Sequence, residues 1–407
     1  MLSLNLTESL PKNTQESLIE EKSFSQQSSF FAAAILFIVI NSLVSLCSDT
    51  KPIFEQLNLS ASSKDMLVAG KVASWWLAKA YFAQPKPPEV AILGNSQLGA
   101  LQCADAYVYQ RVLDMTDNHR SYVLEHDFEK LLRKKWRIFI GSLPGAMISD
   151  QLLISKVLFS RDYHPELVLI TISPRDFIDN TFTGPTSSEA FAFFSKYTNP
   201  EFISKYTKSK ETTSFSTLLP IRTLSRRLLR LDNWTSDLSQ HTSGLKTTKI
   251  AMPFARIVPG EVTIDSNSWF FFSDNTRDYQ KRYKNIYTPQ FQEQLEYLDT
   301  LLSFLREQKI KVVVFIMPLT PSNRKLLSDS FWSYFIHKIS TMCQKYDADW
   351  LDIDADWRAF TKEDFVDSVH LNLPGGLKLT RPIALFGAKK FGGVEFDELR
   401  RREHMMF

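Results

Sequence analysis

Three cysteines in 407 residues, Cys47, Cys103 and Cys343, are too few and too scattered for a disulfide framework or a paired metal-ligand motif. They leave the redox compartment open. The seven histidines do not cluster with metal-ligand spacing, and neither a G-x-G-x-x-G nor a P-loop occurs, so no metal and no cofactor is expected. An excess of either charge is also missing. The 48 basic and 45 acidic side chains leave a net +3, too little for a global electrostatic argument for nucleic acid. No internal repeat or low-complexity block is visible. What remains is a chain that is 44% hydrophobic and 13% aromatic, able to bury a core in one large domain or two ordinary ones.

The most conspicuous apolar run, from Phe30 to Cys47, has 18 residues without a charge. At about 1.5 Å per residue it just spans a hydrocarbon core of roughly 30 Å. A buried core helix is the competing use, but no polar face alternates with the apolar one. A signal peptide fits poorly, because the long preceding segment sets Glu8, Glu16, Glu20 and Glu21 against only Lys12 and Lys22. The expectation is a single-pass transmembrane anchor over residues 29–48, behind a flexible Ser-, Gln- and Glu-rich tail over 1–28. Lys12 and Lys22 on one side balance Lys51 and Lys64 on the other, so charge does not set the orientation.

Residues 49–88 read as a helical linker, with apolar helical spacing from about Ser63 to Phe82 and a stop at Pro85, Pro87 and Pro88. An alternating pattern follows. Strands are expected at Val90–Gly94, Arg137–Gly141, Leu167–Ser173, Lys311–Met317 and Trp350–Ile353. Helices are expected over 98–113, 146–159, 289–308 and about 331–346. Short apolar runs separated by helices argue a three-layer α/β/α domain of flavodoxin-like type over 89–390, with a central parallel sheet and a C-terminal tail at 391–407. A long insertion after the third strand, about 178–288, has weak periodicity and is expected to lie over the ligand site.

Two short stretches carry the chemistry. Gly94-Asn95-Ser96 ends the first strand and presents a serine at the sheet edge. Asp367 and His370 lie three residues apart in Glu363–Gly376, whose proline and glycines argue a loop after the last strand. A serine nucleophile needs a base such as imidazole, and the imidazole needs a carboxylate on its other nitrogen. Each piece alone has a plainer use: Ser96 as a helix N-cap, the D-x-x-H as solvated surface.

In this order the pieces resemble the SGNH (GDSL-like) hydrolase superfamily, whose first block is Gly-Asp-Ser and whose last is Asp-x-x-His. The resemblance covers roughly 90–385 apart from the insertion, and implies Ser96 as nucleophile, His370 as base and Asp367 as its partner. It implies an oxyanion hole from the amides of Ser96 and Gly145, the latter in the loop Gly141–Gly145 after the second strand. The sequence departs from the family at Asn95, in place of aspartate, and at Ser173-Pro174-Arg175-Asp176, in place of Gly-x-Asn-Asp. The usual asparagine donor is therefore absent. Either Arg175 supplies a cationic donor, or the two amides act alone, or Arg175 pairs with Asp176 or another acid and has no catalytic part.

That departure, with the N-terminal apolar run, looks like the membrane-anchored branch of the superfamily, which resembles the proteins of alginate O-acetylation and lipoteichoic-acid D-alanylation. The implied activity is that of an esterase or O-acyltransferase on an acylated envelope polysaccharide. The implied setting is the extracytoplasmic face of the membrane, beside a multi-spanning membrane-bound acyltransferase. An α/β-hydrolase would want G-x-S-x-G, but Leu98 stands two residues after Ser96. A catalytically silent glycan-binding or scaffold domain is the reading from another class. Arg222, Arg226, Arg227 and Arg230 read as a solvated helix face or a contact for anionic lipid or polysaccharide, and Trp269 to Phe272 as core or a sugar-stacking wall.

Overall fold

Five short strands build one sheet, the first four from runs rich in Val, Ile and Leu: β1 (Val90–Gly94), β2 (Ile138–Ser142), β3 (Leu167–Ile172), β4 (Lys311–Ile316) and β5 (Asp349–Asp352). Every neighbouring pair is parallel, in the order β2-β1-β3-β4-β5. That is the flavodoxin-like order, in which the strand order reverses between β1 and β3 and ligands bind beyond the C-terminal strand ends. The computed structural model describes residues 73–109, 119–159, 162–182, 184–199, 201–203, 272–286, 289–357 and 360–392. The expected anchor at 29–48, the tails at 1–28 and 393–407, the arginines at 222–230 and the aromatics at 269–271 lie outside the described residues. Among the described residues no helix is long and apolar enough to cross a membrane.

The principal helices are α1 (Ala73–Phe82), α2 (Gly99–Tyr109), α3 (Tyr122–Leu132), α4 (Ile148–Leu158), α5 (Thr276–Arg282), α6 (Pro289–Glu307), α7 (Asp329–Lys345) and α8 (Leu373–Gly392). Side chains of a strand alternate between faces, and the two cores follow that period. Ala91, Leu93, Val168, Ile170, Val312 and Val314 pack with apolar residues of α1, α4, α6 and α7. Val90, Ile92, Leu167, Leu169, Val313 and Phe315 pack with those of α2, α3 and α8. β1 and β3 are buried along their whole length, which is why they read as continuous apolar runs.

Three expectations change. The second half of the linker is no spacer: in α1, Trp75, Leu77, Ala78 and Tyr81 are buried in the core. Tyr81 meets Phe139 and Phe159 with ring centroids 5.1 and 5.7 Å apart, and burying one such side chain contributes about 1.5–3 kcal/mol. Between β1 and β2 there are two described helices, not one. α3 starts at Ser121, whose Oγ accepts from Leu124 N at 3.3 Å, beside Asp105, which accepts from the Tyr122 and Val123 amides at 2.9 Å each.

The expected loop through Gly376 gives way to helix at Leu373, and α8 closes the second face of the sheet. Gly376 is required there because a Cβ would lie 2.1 Å from the Ala100 carbonyl of α2. The described ends of the insertion pack into the domain. A helical turn at Glu189–Phe194 buries Phe191, Phe193 and Phe194 in the first core.

Candidate active site

The C-terminal end of β1 turns sharply at Asn95. Its side chain caps the single 3-10 turn Ser96–Leu98, accepting from Gln97 N at 2.8 Å. The cap is thus Asn95, and the Ser96 hydroxyl is left for another partner. Ser142 Oγ, at the end of β2, donates to the Asn95 carbonyl at 2.7 Å and fixes the turn from the neighbouring strand.

That partner comes from the loop before α8. Val366 N donates to the His370 carbonyl at 2.9 Å, and Phe365 bridges Leu371, so residues 365–371 form a closed turn. Inside it, Asp367 Oδ1 accepts from the amides of Val369 (2.9 Å) and His370 (2.8 Å). His370 Nδ1 lies 2.7 Å from Asp367 Oδ2, and His370 Nε2 lies 2.8 Å from Ser96 Oγ. With a carboxylate on Nδ1, that nitrogen carries the ring proton and Nε2 accepts from the serine hydroxyl. Gln97 Nε2, donating to the Val369 carbonyl at 3.1 Å, ties the two turns together. So Ser96 meets the His370–Asp367 pair, 274 residues away in sequence, at the reversal point of the sheet.

Electrostatics favour an ionised Asp367. Burial alone would raise its carboxyl, but the His370 hydrogen bond and charge and the two backbone amides outweigh burial and hold it below the ordinary range.

Gly145 follows β2 in a turn where Ala146 N donates to the Leu143 carbonyl at 3.1 Å, and its φ of 74° is left-handed, where glycine is favoured. Neither the Ser96 nor the Gly145 amide donates a hydrogen bond among the described residues. Arg175, in the short turn after β3, runs beside Gly145. Its Nε donates to Asp179 at 2.8 Å, its Nη1 to the Ala146 carbonyl at 3.1 Å, and Nη1 stands 3.6 Å from Asp176.

Of the options left open by the sequence, the pairing with acids is therefore present. Yet Nη2 makes no hydrogen bond among the described residues and lies 3.5 Å from where a Gly145 Cβ would be. Asp176 accepts from Asn95 Nδ2 at 2.7 Å and from Ser173 N at 2.9 Å. Burial pushes its carboxyl up to about 6 against the pull of the Arg175 charge. Asp179 goes the other way: burial raises it, but Arg175, Thr181 and Arg282 hold it below the ordinary range.

Ser96, Gly145, Arg175 and His370 share the wall of one cleft of about 210 Å³ with Asn275, Tyr279 and Arg282. The last three come from the return of the insertion, and sequence reasoning missed them. Burial and the Asp367 charge push the Tyr279 hydroxyl well above its ordinary pKa, so it stays protonated. Only Asp179 carried a signal in the sequence, standing four residues after Arg175, the spacing at which opposite charges meet on a helical turn. Among the described residues no group of His, Cys, Asp and Glu is arranged to hold a metal ion. No protein-family model and no curated protein matches the chain, so the functional reading rests on this geometry.

Proposed function

We propose that the chain is a serine esterase or O-acyltransferase of SGNH type working through a Ser96 acyl-enzyme. One observation carries the reading: the relay from Ser96 Oγ to His370 Nε2 at 2.8 Å and from His370 Nδ1 to Asp367 at 2.7 Å. In the first half-reaction Ser96 Oγ attacks an ester carbonyl while His370 Nε2 takes the hydroxyl proton, and Asp367 stabilises the imidazolium. The carbonyl oxygen becomes an oxyanion held by the Ser96 and Gly145 amides, with Arg175 Nη2 as a third donor on the same wall. Collapse expels the alcohol, which leaves with the proton held by His370. In the second half-reaction His370 draws a proton from the incoming nucleophile as it attacks the acyl carbon, then returns it to Ser96 Oγ as the acyl–serine bond breaks: water yields a carboxylic acid, a sugar hydroxyl yields a new ester.

The cleft of about 210 Å³ is smaller than the roughly 300–1,000 Å³ typical of drug-sized ligands, which suits a small acyl ester better than a long acyl chain. The apolar run at Phe30 to Cys47, with the resemblance set out above, supports a membrane-anchored protein acting outside the cytoplasm on an acylated envelope polysaccharide, beside a multi-spanning acyltransferase. A silent binding or scaffold role draws support from a different observation: Arg175 replaces the asparagine donor and most of its guanidinium is engaged by Asp179, Asp176 and Ala146. Hydrolysis of p-nitrophenyl acetate by the full-length chain, with and without a sugar acceptor, separates the readings. Release that depends on Ser96 supports the enzyme, and partition of acetyl to the sugar assigns transfer. A folded chain with no release above Ser96→Ala supports the scaffold.

A further inference from the structure

The return of the insertion crosses the site as a strap fastened at both ends. At one end Ser273 N donates to the Val366 carbonyl at 2.7 Å. At the other, Arg282 pairs with Asp179 and its carbonyl accepts from Asn180 N at 3.0 Å and Asn180 Nδ2 at 2.7 Å. Between them, Asn275 reaches the Asp367 loop. Its Oδ1 accepts from Ser368 N at 2.9 Å and also from Ser368 Oγ. A backbone amide can only donate, so the Asn275 oxygen must face Ser368 and its Nδ2 must face Asp367. That amide donates to Asp367 Oδ2 at 3.1 Å.

Asp367 therefore accepts four hydrogen bonds. Oδ1 takes the Val369 and His370 amides, and Oδ2 takes His370 Nδ1 and Asn275 Nδ2. Three of these donors belong to the loop itself. Asn275 alone comes from elsewhere, and it bonds the oxygen that must orient the imidazole. Without it, Oδ2 keeps only the ring it is meant to hold, and the carboxylate can rotate about its Oδ1 anchors. Behind Ser368, Asn323 Nδ2 donates to its Oγ at 3.1 Å and Thr320 Oγ1 to its carbonyl at 2.9 Å, so the support is itself braced by the segment after β4.

We propose that Asn275 is a positioning residue that fixes the Asp367 carboxylate against His370, so that the insertion completes the relay. The proposal rests on the reading of Ser96 as nucleophile. Its test is the second-order rate of labelling of the full-length chain by a fluorophosphonate probe. Asn275→Ala should lower that rate about 10-fold. In an Asp367→Ala background the same substitution should change it less than twofold, because a residue acting through Asp367 has nothing left to act on.

Asn275→Asp keeps the acceptor for Ser368 but replaces the amide donor with a second carboxyl. The two carboxyls share a proton at lower pH and repel once both ionise. Among the described residues, His370 bonds Asp367 and Tyr279 feels its charge, and both are present in the wild type. The ratio of Asn275→Asp to wild-type rate should therefore fall as pH rises. A ratio within twofold of one at every pH, or losses that multiply independently in the double variant, would overturn the proposal. Absence of wild-type labelling, or labelling that survives Ser96→Ala, would overturn the underlying reading and the proposal with it.

Discussion

The ends of β1 and β3 lie side by side and treat their polar groups in opposite ways. At the end of β1, Asn95 takes the capping duty and leaves one half-buried hydroxyl, that of Ser96, with a proton route through His370. At the end of β3, Arg175, Asp176 and Asp179 are buried and engage one another, Asn95 and Ala146. The first end is chemically open and structurally cheap to alter; the second is a lattice of buried charge on which the first rests, with only Arg175 Nη2 left without a hydrogen bond among the described residues. Proximity to the cleft does not by itself separate a reacting group from its support.

That contrast breaks or sharpens under three changes. The largest effect belongs to Asp367→Asn, which removes the carboxylate that fixes the imidazole tautomer. Probe labelling of Ser96 should fall about 10⁴-fold, as for the equivalent loss in a serine protease. Next is Arg175→Met, which strips the cation from Asp179 and from buried Asp176. Removing one partner of a buried ion pair costs about 3–5 kcal/mol, read as a lower urea midpoint, whereas Ser96→Ala should move that midpoint by less than about 1 kcal/mol. If Arg175→Met unfolds at the wild-type midpoint, the lattice reading is wrong.

The smallest effect is on pH dependence. Burial pushes the carboxyls of Asp150 and Asp176 up to about 6 from the ordinary 3.8. The folded state then binds the proton more tightly than the unfolded one. Their contribution to stability is fully present below 3.8 and lost as pH rises through about 6. Asp367 and Asp179, held below the ordinary value, act in the opposite sense: their contribution is present above 3.8 and lost as pH falls through the depressed folded value. Thermal unfolding of Asp150→Asn should show a shallower loss of stability than wild type as pH rises from 3.8 to about 6.

The strands were legible because a parallel sheet buried on both faces writes itself as short β-branched runs, as in Val90–Gly94 and Leu167–Ile172. The pairing of Ser96 with Asp367 and His370 was legible from strand order and a three-residue spacing. α8 was not, since Pro374, Gly375, Gly376 and Pro382 all argue against a helix interior. There the close approach to α2 selects glycine, and tertiary packing overrides propensity. α3 shows helical spacing at Val123, Leu124, Phe128 and Leu131, although the expected helices stop at residue 113 and resume only at 146. Asn275 left no local trace. It lies 92 residues from Asp367, inside a segment of weak periodicity, and only the fold makes them neighbours.

Labelling of the full-length chain with a serine-directed fluorophosphonate, beside Ser96→Ala and His370→Ala, tests the central claim most directly. The account predicts a labelled wild type and loss of label in both variants. A folded wild type that takes no label, or a Ser96→Ala variant that still does, would contradict it.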